Sequence, residues 1–509
     1  MMIKVILLVI FFAVMVAVGI YSRKHAMSVD GFVLGGRSVG PWLTAFAYGT
    51  SYFSAVVFVG YAGQFGWKYG LASTWIGIGN AVIGSLMAWV VLGRRTKVMT
   101  QYLNSKTMPD FFGSRYGSKP LKIAASAIVF VFLVPYTASI YNGLSRLFEM
   151  AFHIPYAWCV IGMAVFTGIY VILGGYMATA INDFIQGIIM LAGIIVVIAA
   201  VLNGQGGFLE AVGKMAEIPS DVEITLGQPG AFTSFFGPDP GNLLGVVILT
   251  SLGTWGLPQM IGKFYAIKDE KSINTGTVIS TVFAIVVSGG CYFLGGFARL
   301  FDAPAIYDEA GAVVYDSIIP HMLSALPDIL IGIVVVLVLS ASMSTLASLV
   351  LTSSSTLTLD FLKDNLLKEM SEKRQVRTMQ VLVIFFIAVS VFIALDPPTF
   401  IAQLMGISWG ALAGAFLAPF LYGLYWKGTT RAGVWASFIV GVGITVVNMF
   451  IPFIESSINA GAAAMVAGLI VVPVVSLITP KLSREKTDAI FSCYEEKVTI
   501  TKKRSLEQN

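Results

Sequence analysis

Ala341, Ser344, Thr345, Ser348 and Thr352 recur at i, i+3, i+4, i+7 and i+11 inside an apolar run, so they share one face of a helix. A row of hydroxyl oxygens at membrane depth is chemistry for a hard, weakly held monovalent cation, and sodium suits it better than a transition metal. Softer metals would call for Cys and His. Instead His25, His153 and His321 are isolated, and Cys159, Cys291 and Cys493 have neither metal nor redox spacing. The plainer alternative for each hydroxyl is a bond back to the carbonyl four residues earlier, or simple packing between helices.

Two other stretches supply the groups such a row would face. Gly49 is followed by Thr50, Ser51, Tyr52, Phe53 and Ser54 in the middle of the run 40–66, and Gly253, Thr254, Trp255, Gly256, Leu257 and Pro258 interrupt the run 242–264. In hydrocarbon, unwound backbone survives only where protein or a wet cavity satisfies it, so both runs are candidate broken helices. They lie five spans apart, the offset of two inverted halves meeting around a midplane solute site. Close approach of helices through small residues is the competing account. Solute contacts expected on the cavity-lining spans are Ser51, Tyr52, Ser54, Tyr136, Asn142, Thr254, Trp255 and Gln259. Asp183, an ionisable residue at the start of its span, reads either as a helix N-cap or as a station on an ion exit path.

Such residues need a membrane to hold them. The 509 residues are 57% hydrophobic and 12% charged, about half the charged share of a soluble domain at roughly 25%. The charges cluster between apolar runs long enough to cross ~30 Å of hydrocarbon. Thirteen transmembrane helices are predicted, near 3–21, 40–66, 71–93, 123–148, 155–174, 180–202, 242–264, 273–300, 327–358, 378–395, 398–425, 430–451 and 459–479. With the N-terminus outside and the C-terminus cytoplasmic, only Lys4, Lys68, Arg146, Lys214 and Arg299 of the 32 Lys and Arg residues fall outside, as the positive-inside rule requires. The net charge of +5 thus belongs to topology and implies no nucleic-acid partner. The segments 204–241 and 302–326 read as external loops, and the tail 481–509 is too short for a signalling domain.

The motifs also resemble a known family, the sodium:solute symporters, over about 28–479. Leu34-Gly35-Gly36-Arg37-Ser38 with Gly40-Pro41 is similar to the family's entry to its first core helix, and Ser342-Met343-Ser344-Thr345-Leu346 to its sodium-site helix. Tyr170 to Gly175 with Asp183 and Gln186, Trp409-Gly410 with Gly414-Ala415-Phe416 and Pro419, and Thr430-Arg431-Ala432-Gly433 after Trp426 continue the resemblance. It implies an all-α polytopic membrane protein with a five-plus-five inverted-repeat, leucine-transporter-like core. The expected organisation is an extra N-terminal helix and loop in 1–27, a transport core in 28–425 with repeats near 40–202 and 242–425, two C-terminal helices in 426–480, and the cytoplasmic tail 481–509. It also implies that sodium is held by the carbonyls of Thr50, Phe53 and Ala341 and the hydroxyls of Ser344 and Thr345. Sodium/proline members carry an aspartate where this chain has Tyr52, whereas Ile181-Asn182-Asp183, Gly256-Leu257-Pro258 and Pro397-Pro398 resemble pantothenate-type members.

The expected activity is therefore sodium-coupled import of a small organic solute, of the amino-acid, vitamin or carboxylate class, across the plasma membrane by alternating access, with lipid the only other partner. No clustered nucleophile, metal set or paired carboxylate at membrane depth suggests an enzyme. Proton coupling on the same fold and a transporter-like sensor are the remaining alternatives.

Overall fold

The computed structural model describes residues 2–367, 369–396 and 400–495; Pro397, Pro398 and the end of the tail lie outside them. Among the described residues the chain is all helical, with two isolated β-bridges in place of any strand. In chain order we label α1 (Met2–Ser22), α2 (Pro41–Tyr52), α3 (Val56–Tyr102), α4 (Lys119–Phe152), α5 (Tyr156–Gly204), α6 (Pro240–Leu252) and α7 (Pro258–Ala266). They are followed by α8 (Glu270–Gly295), α9 (Tyr315–Ser324), α10 (Asp328–Thr356), α11 (Glu372–Leu395), α12 (Ile401–Tyr425), α13 (Arg431–Phe450) and α14 (Ser457–Ile478).

Eleven helical stretches among the described residues are long and apolar enough to cross a membrane, against thirteen predicted spans. The difference lies in α3 and α5, of 47 and 49 residues, each of which merges spans that the sequence divides. A straight helix of that length would run about 70 Å, more than twice the hydrocarbon thickness. Neither is straight. Gly175 breaks α5 with φ 53°, ψ −146°, and Gly70 breaks α3 with φ 59°, ψ −140°, backbone conformations that a Cβ would strain.

Helix starts follow local chemistry. Asp239, Asp269, Ser371, Thr430 and Ser456 each accept a backbone N–H from the first turn of the helix that follows them. Pro41, Pro240 and Pro258 stand in first turns, where a missing N–H costs nothing. The centre is built by α2, α4, α5 and α10 packing on one another, with α12, α13 and α14 against one side. Two broken helices are tied together at one end: the Val39 N–H donates to the Ala266 carbonyl and the Lys268 N–H returns to the Val39 carbonyl.

The end bearing most Lys and Arg is closed by polar contacts. Lys122 lies 2.8 Å from Asp110, 3.3 Å from Asp360 and 2.6 Å from Asp364, and Thr107 donates to Asp360 at 2.5 Å. Arg37 reaches the Ser105 carbonyl at 2.6 Å. Here a narrow crevice of 40 Å³ is lined by Lys106, Thr107, Gln259, Lys263 and Ser348, whereas the opposite end holds a cavity of 560 Å³ lined by Gln64, Lys68, Asp239, Gln403 and Asn459.

Two contacts at or near that opposite end are sensitive to change. A Cβ on Gly66 would stand 1.8 Å from the Gly295 carbonyl oxygen, and one on Gly295 would stand 2.2 Å from the Ala62 carbonyl oxygen, so α3 and α8 meet backbone to backbone. Gly66→Ala is expected to destabilise the purified protein by ~1–3 kcal/mol, read as a lowered thermal midpoint; an unchanged midpoint would show that the helices separate freely. Asp316, on α9 and 6% exposed, accepts the Ile401 N–H at the start of α12 at 3.3 Å. Burial outweighs that bond and the nearby Arg146, pushing the carboxyl up to about 6. A raised carboxyl pKa stabilises the fold at acid pH, and the contribution is lost as pH rises through about 6. Wild type is therefore expected to gain stability relative to Asp316→Asn between pH 7 and 5, and a difference that stays flat with pH would refute it.

Candidate functional site

Phe53 ends α2 with an extended backbone (φ −98°, ψ 127°), so the chain leaves the helix in mid-bundle and resumes it at Val56. The break falls after Tyr52 and not at Gly49, which stays helical and whose lack of a Cβ admits the ring of Phe283, 2.4 Å from where a Cβ would sit. The freed groups are met by side chains. Ser342 accepts the Ala55 N–H at 3.1 Å, and the Ser54 hydroxyl accepts the Val56 N–H at 3.2 Å, capping the resumed helix.

The carbonyls at the break converge on α10. The Thr345 hydroxyl lies 3.2 Å from the Thr50 carbonyl, 2.8 Å from that of Phe53 and 3.1 Å from that of Ala341. One hydroxyl carries one proton and can serve only one of these three carbonyl oxygens at a time, although that of Thr50 also accepts the Phe53 N–H at 3.2 Å. Ser344 adds its oxygen 2.7 Å from the Thr50 hydroxyl. The five residues expected to hold sodium are thus brought together, every one of them buried. The Ala341 contact is also the back-bond from i to i−4 that the plainer reading foresees, but the contacts to α2 are not.

The same face of α10 continues one turn further. Ser348 meets Ser51 at 2.8 Å and accepts from the Lys263 ammonium at 3.0 Å. Asp183 accepts from Ser344 at 2.6 Å, and its other oxygen lies 3.7 Å from Lys263. Asp183 is fully buried, eight residues past the break at Gly175, so it is no N-cap: the helix start is elsewhere. Lys263, counted with the basic loops in the sequence reading, is 3% exposed inside the bundle. The missed signal is that Pro258 opens a new helix, which puts Lys263 one turn beyond Gln259 on the same inward face.

The expected solute contacts divide. Tyr52 stacks on Trp409 with centroids 6.0 Å apart, and Tyr136 meets Trp409 edge-on at 5.9 Å. The Tyr136 hydroxyl and the Trp409 indole N–H are buried without a hydrogen-bond partner, as are the Gln259 amide and the Asn142 carbonyl oxygen. Thr254 and Trp255 instead spend their donors on α3. Thr254 shares its one proton between the Gly84 carbonyl at 3.0 Å and the Ser251 carbonyl at 2.9 Å, and the Trp255 indole donates to the Ile83 carbonyl at 2.9 Å, Gly84 and Ile83 lying within a π-helical turn, 80–87, whose carbonyls are offset from the regular ladder. These two residues anchor the second break, where the chain passes from a 3₁₀ turn at Gly253–Trp255 through extended Leu257 to Pro258. Ser51 is taken by Ser348, and Ser54 serves as the cap. Trp409 was not among the expected solute contacts; its place opposite Tyr52 and Tyr136 depends on packing that sequence spacing does not carry.

The sequence and the fold both have known relatives. A sodium/proline symporter of Staphylococcus aureus (strain JH9) is 30% identical over 502 residues, covering 94% of this chain and 93% of its own. The fold matches a substrate-bound, outward-open Na+-coupled sialic acid symporter with a TM-score of 0.76 at 14% identity, over 95% of this chain and 99% of that one. A nucleobase-cation-symport-1 family transporter in a closed conformation aligns with a TM-score of 0.50 at 14% identity, over 91% and 98% of the two chains. The model of the Sodium:solute symporter family matches residues 32–441, across both broken helices and the hydroxyl face, and the chain belongs to that family.

Proposed function

We propose that this multi-pass transporter imports a small organic solute together with sodium, the ion bound by the Thr50, Phe53 and Ala341 carbonyls and the Ser344 and Thr345 hydroxyls. The observation that carries the reading is the Thr345 hydroxyl facing three carbonyl oxygens with one proton to give. Such an excess of hard oxygen is relieved by a small cation. The ion joins α2 to α10, so it favours whichever state has these helices together. The polar seal at the basic end and the cavity between helices at the opposite end support an outward-facing form, with α4, α7 and α10 gating the inward side. Each sodium moved down 100 mV supplies ~2.3 kcal/mol toward concentrating the solute.

Gly70 and Gly175 support thirteen crossings, since each turns one over-long helix into two, with the N-terminus outside and the C-terminus cytoplasmic. The inverted-repeat boundaries near 40–202 and 242–425 fit the two breaks, between helices 1–27 and 426–480 at either side. The solute sits against Tyr52, Tyr136 and Trp409, with Asn142 and Gln259 as further polar contacts. These groups suit a compact molecule of the amino-acid, vitamin or carboxylate class. Proline is the first to test, because the Staphylococcus aureus relatives are named for it, although Tyr52 alters the wall of the site.

Uptake of labelled proline and of a panel of amino acids, vitamins and carboxylates into proteoliposomes should stop when sodium is replaced by choline at fixed pH. Uptake indifferent to that exchange would assign the coupling to protons. Thr345→Ala is expected to raise the sodium concentration for half-maximal uptake by tenfold or more, ~1.4 kcal/mol, and Ser344→Ala to act in the same direction. If both left it unchanged, the hydroxyls would be packing groups. Trp409→Ala should raise the solute concentration required while leaving sodium-induced stabilisation intact, and the reverse pattern would place Trp409 in the ion site.

A further inference from the structure

Beside the three carbonyls lies a second cluster of hard oxygens: the Asp183 carboxylate, the Ser344 and Ser348 hydroxyls and, through Ser348, the Ser51 hydroxyl. A buried carboxylate among hydroxyls is itself a donor set for a monovalent cation. Here the position is taken. The Lys263 ammonium stands 3.0 Å from Ser348 and 3.7 Å from Asp183, with the Tyr176 ring 5.2 Å beneath it. Asp183 Oδ2 has no hydrogen-bond donor, so the ammonium neutralises it at a distance without satisfying it in full.

We infer that Lys263 is a tethered counter-cation filling a second ion position, so that one sodium accompanies each transport cycle. The inference rests on the sodium reading above. A tethered ammonium cancels the charge of Asp183 in the low dielectric without itself crossing the membrane, and it bars a free ion from the same oxygens. The 40 Å³ crevice that includes Lys263 among its walls has room for about one or two waters, enough for a small cation to enter once the ammonium is removed. Gln259, one turn before Lys263 with its amide unpartnered, offers such an ion a further oxygen.

The test is equilibrium binding of radioactive sodium alone to purified protein, with choline as the balancing salt. Wild type is expected to bind about one sodium per protein and Lys263→Met about two, with the dose response steepening accordingly. Lys263→Arg, which keeps the cation, and Asp183→Asn with Lys263→Met, which removes both charges, should each return to the wild-type count. Two sodium ions on wild type, one on Lys263→Met, or two on Lys263→Arg would each overturn the inference. Should Lys263→Met not survive purification, Lys263→Gln takes its place, and the wild-type and Lys263→Arg counts decide independently. A wild type that binds no sodium refutes the sodium site itself, so the two failures are separable.

Discussion

Hydrocarbon offers no partner to a backbone N–H or carbonyl, and this bundle is arranged around that constraint. Twice it leaves the helix in mid-membrane, and each time side-chain hydrogen bonds tie the break to another helix. Ser342 and Thr345 serve the first break, while Thr254 and Trp255 reach from the second to the π-turn of α3. The breaks are therefore junctions between helices. At the first junction α10 brings one Thr345 hydroxyl to three carbonyl oxygens, and the proposed cation seat rests on that shortage of donors.

The junctions also relate ion to solute. Thr50 and Phe53 offer carbonyls to α10, while Tyr52, between them in sequence, turns its ring to Trp409. A shift of α2 that tightens one contact alters the other. In the proposed function the two ligands would be coupled through four consecutive residues, over a distance too short to need a longer route through the bundle.

Much of this was legible in the sequence. Hydroxyls spaced at i, i+3, i+4 and i+7 can only form a stripe, and glycines or proline amid an apolar run mark a break whatever surrounds it. The stripe and the break were readable in that way, while the set Thr50, Phe53, Ala341, Ser344 and Thr345 was implied by the family resemblance. What periodicity could not carry was which way a side chain turns across an interface. Thr254 and Trp255 look like cavity residues by depth, yet their donors are drawn to carbonyls freed by a π-turn that no residue type announces. Lys263 was missed because charge near the end of a span reads as loop, and only the fresh helix from Pro258 rotates it inward. At Gly175 the spans on either side were seen, but the structure carries the helix up to the glycine on both sides.

The cavity at one end and the polar seal at the other have an electrical consequence. Once filled with water, a space of 560 Å³ would conduct, so the transmembrane voltage would fall little across it and mostly across the sealed protein that remains. That sealed part reaches from the cavity floor to the ring of contacts made by Lys122, Asp110 and Asp360. A given membrane potential is thereby concentrated into a steeper field over a shorter path. An ion lodged within that path would feel most of the cell's resting voltage while moving only a fraction of the bilayer's thickness.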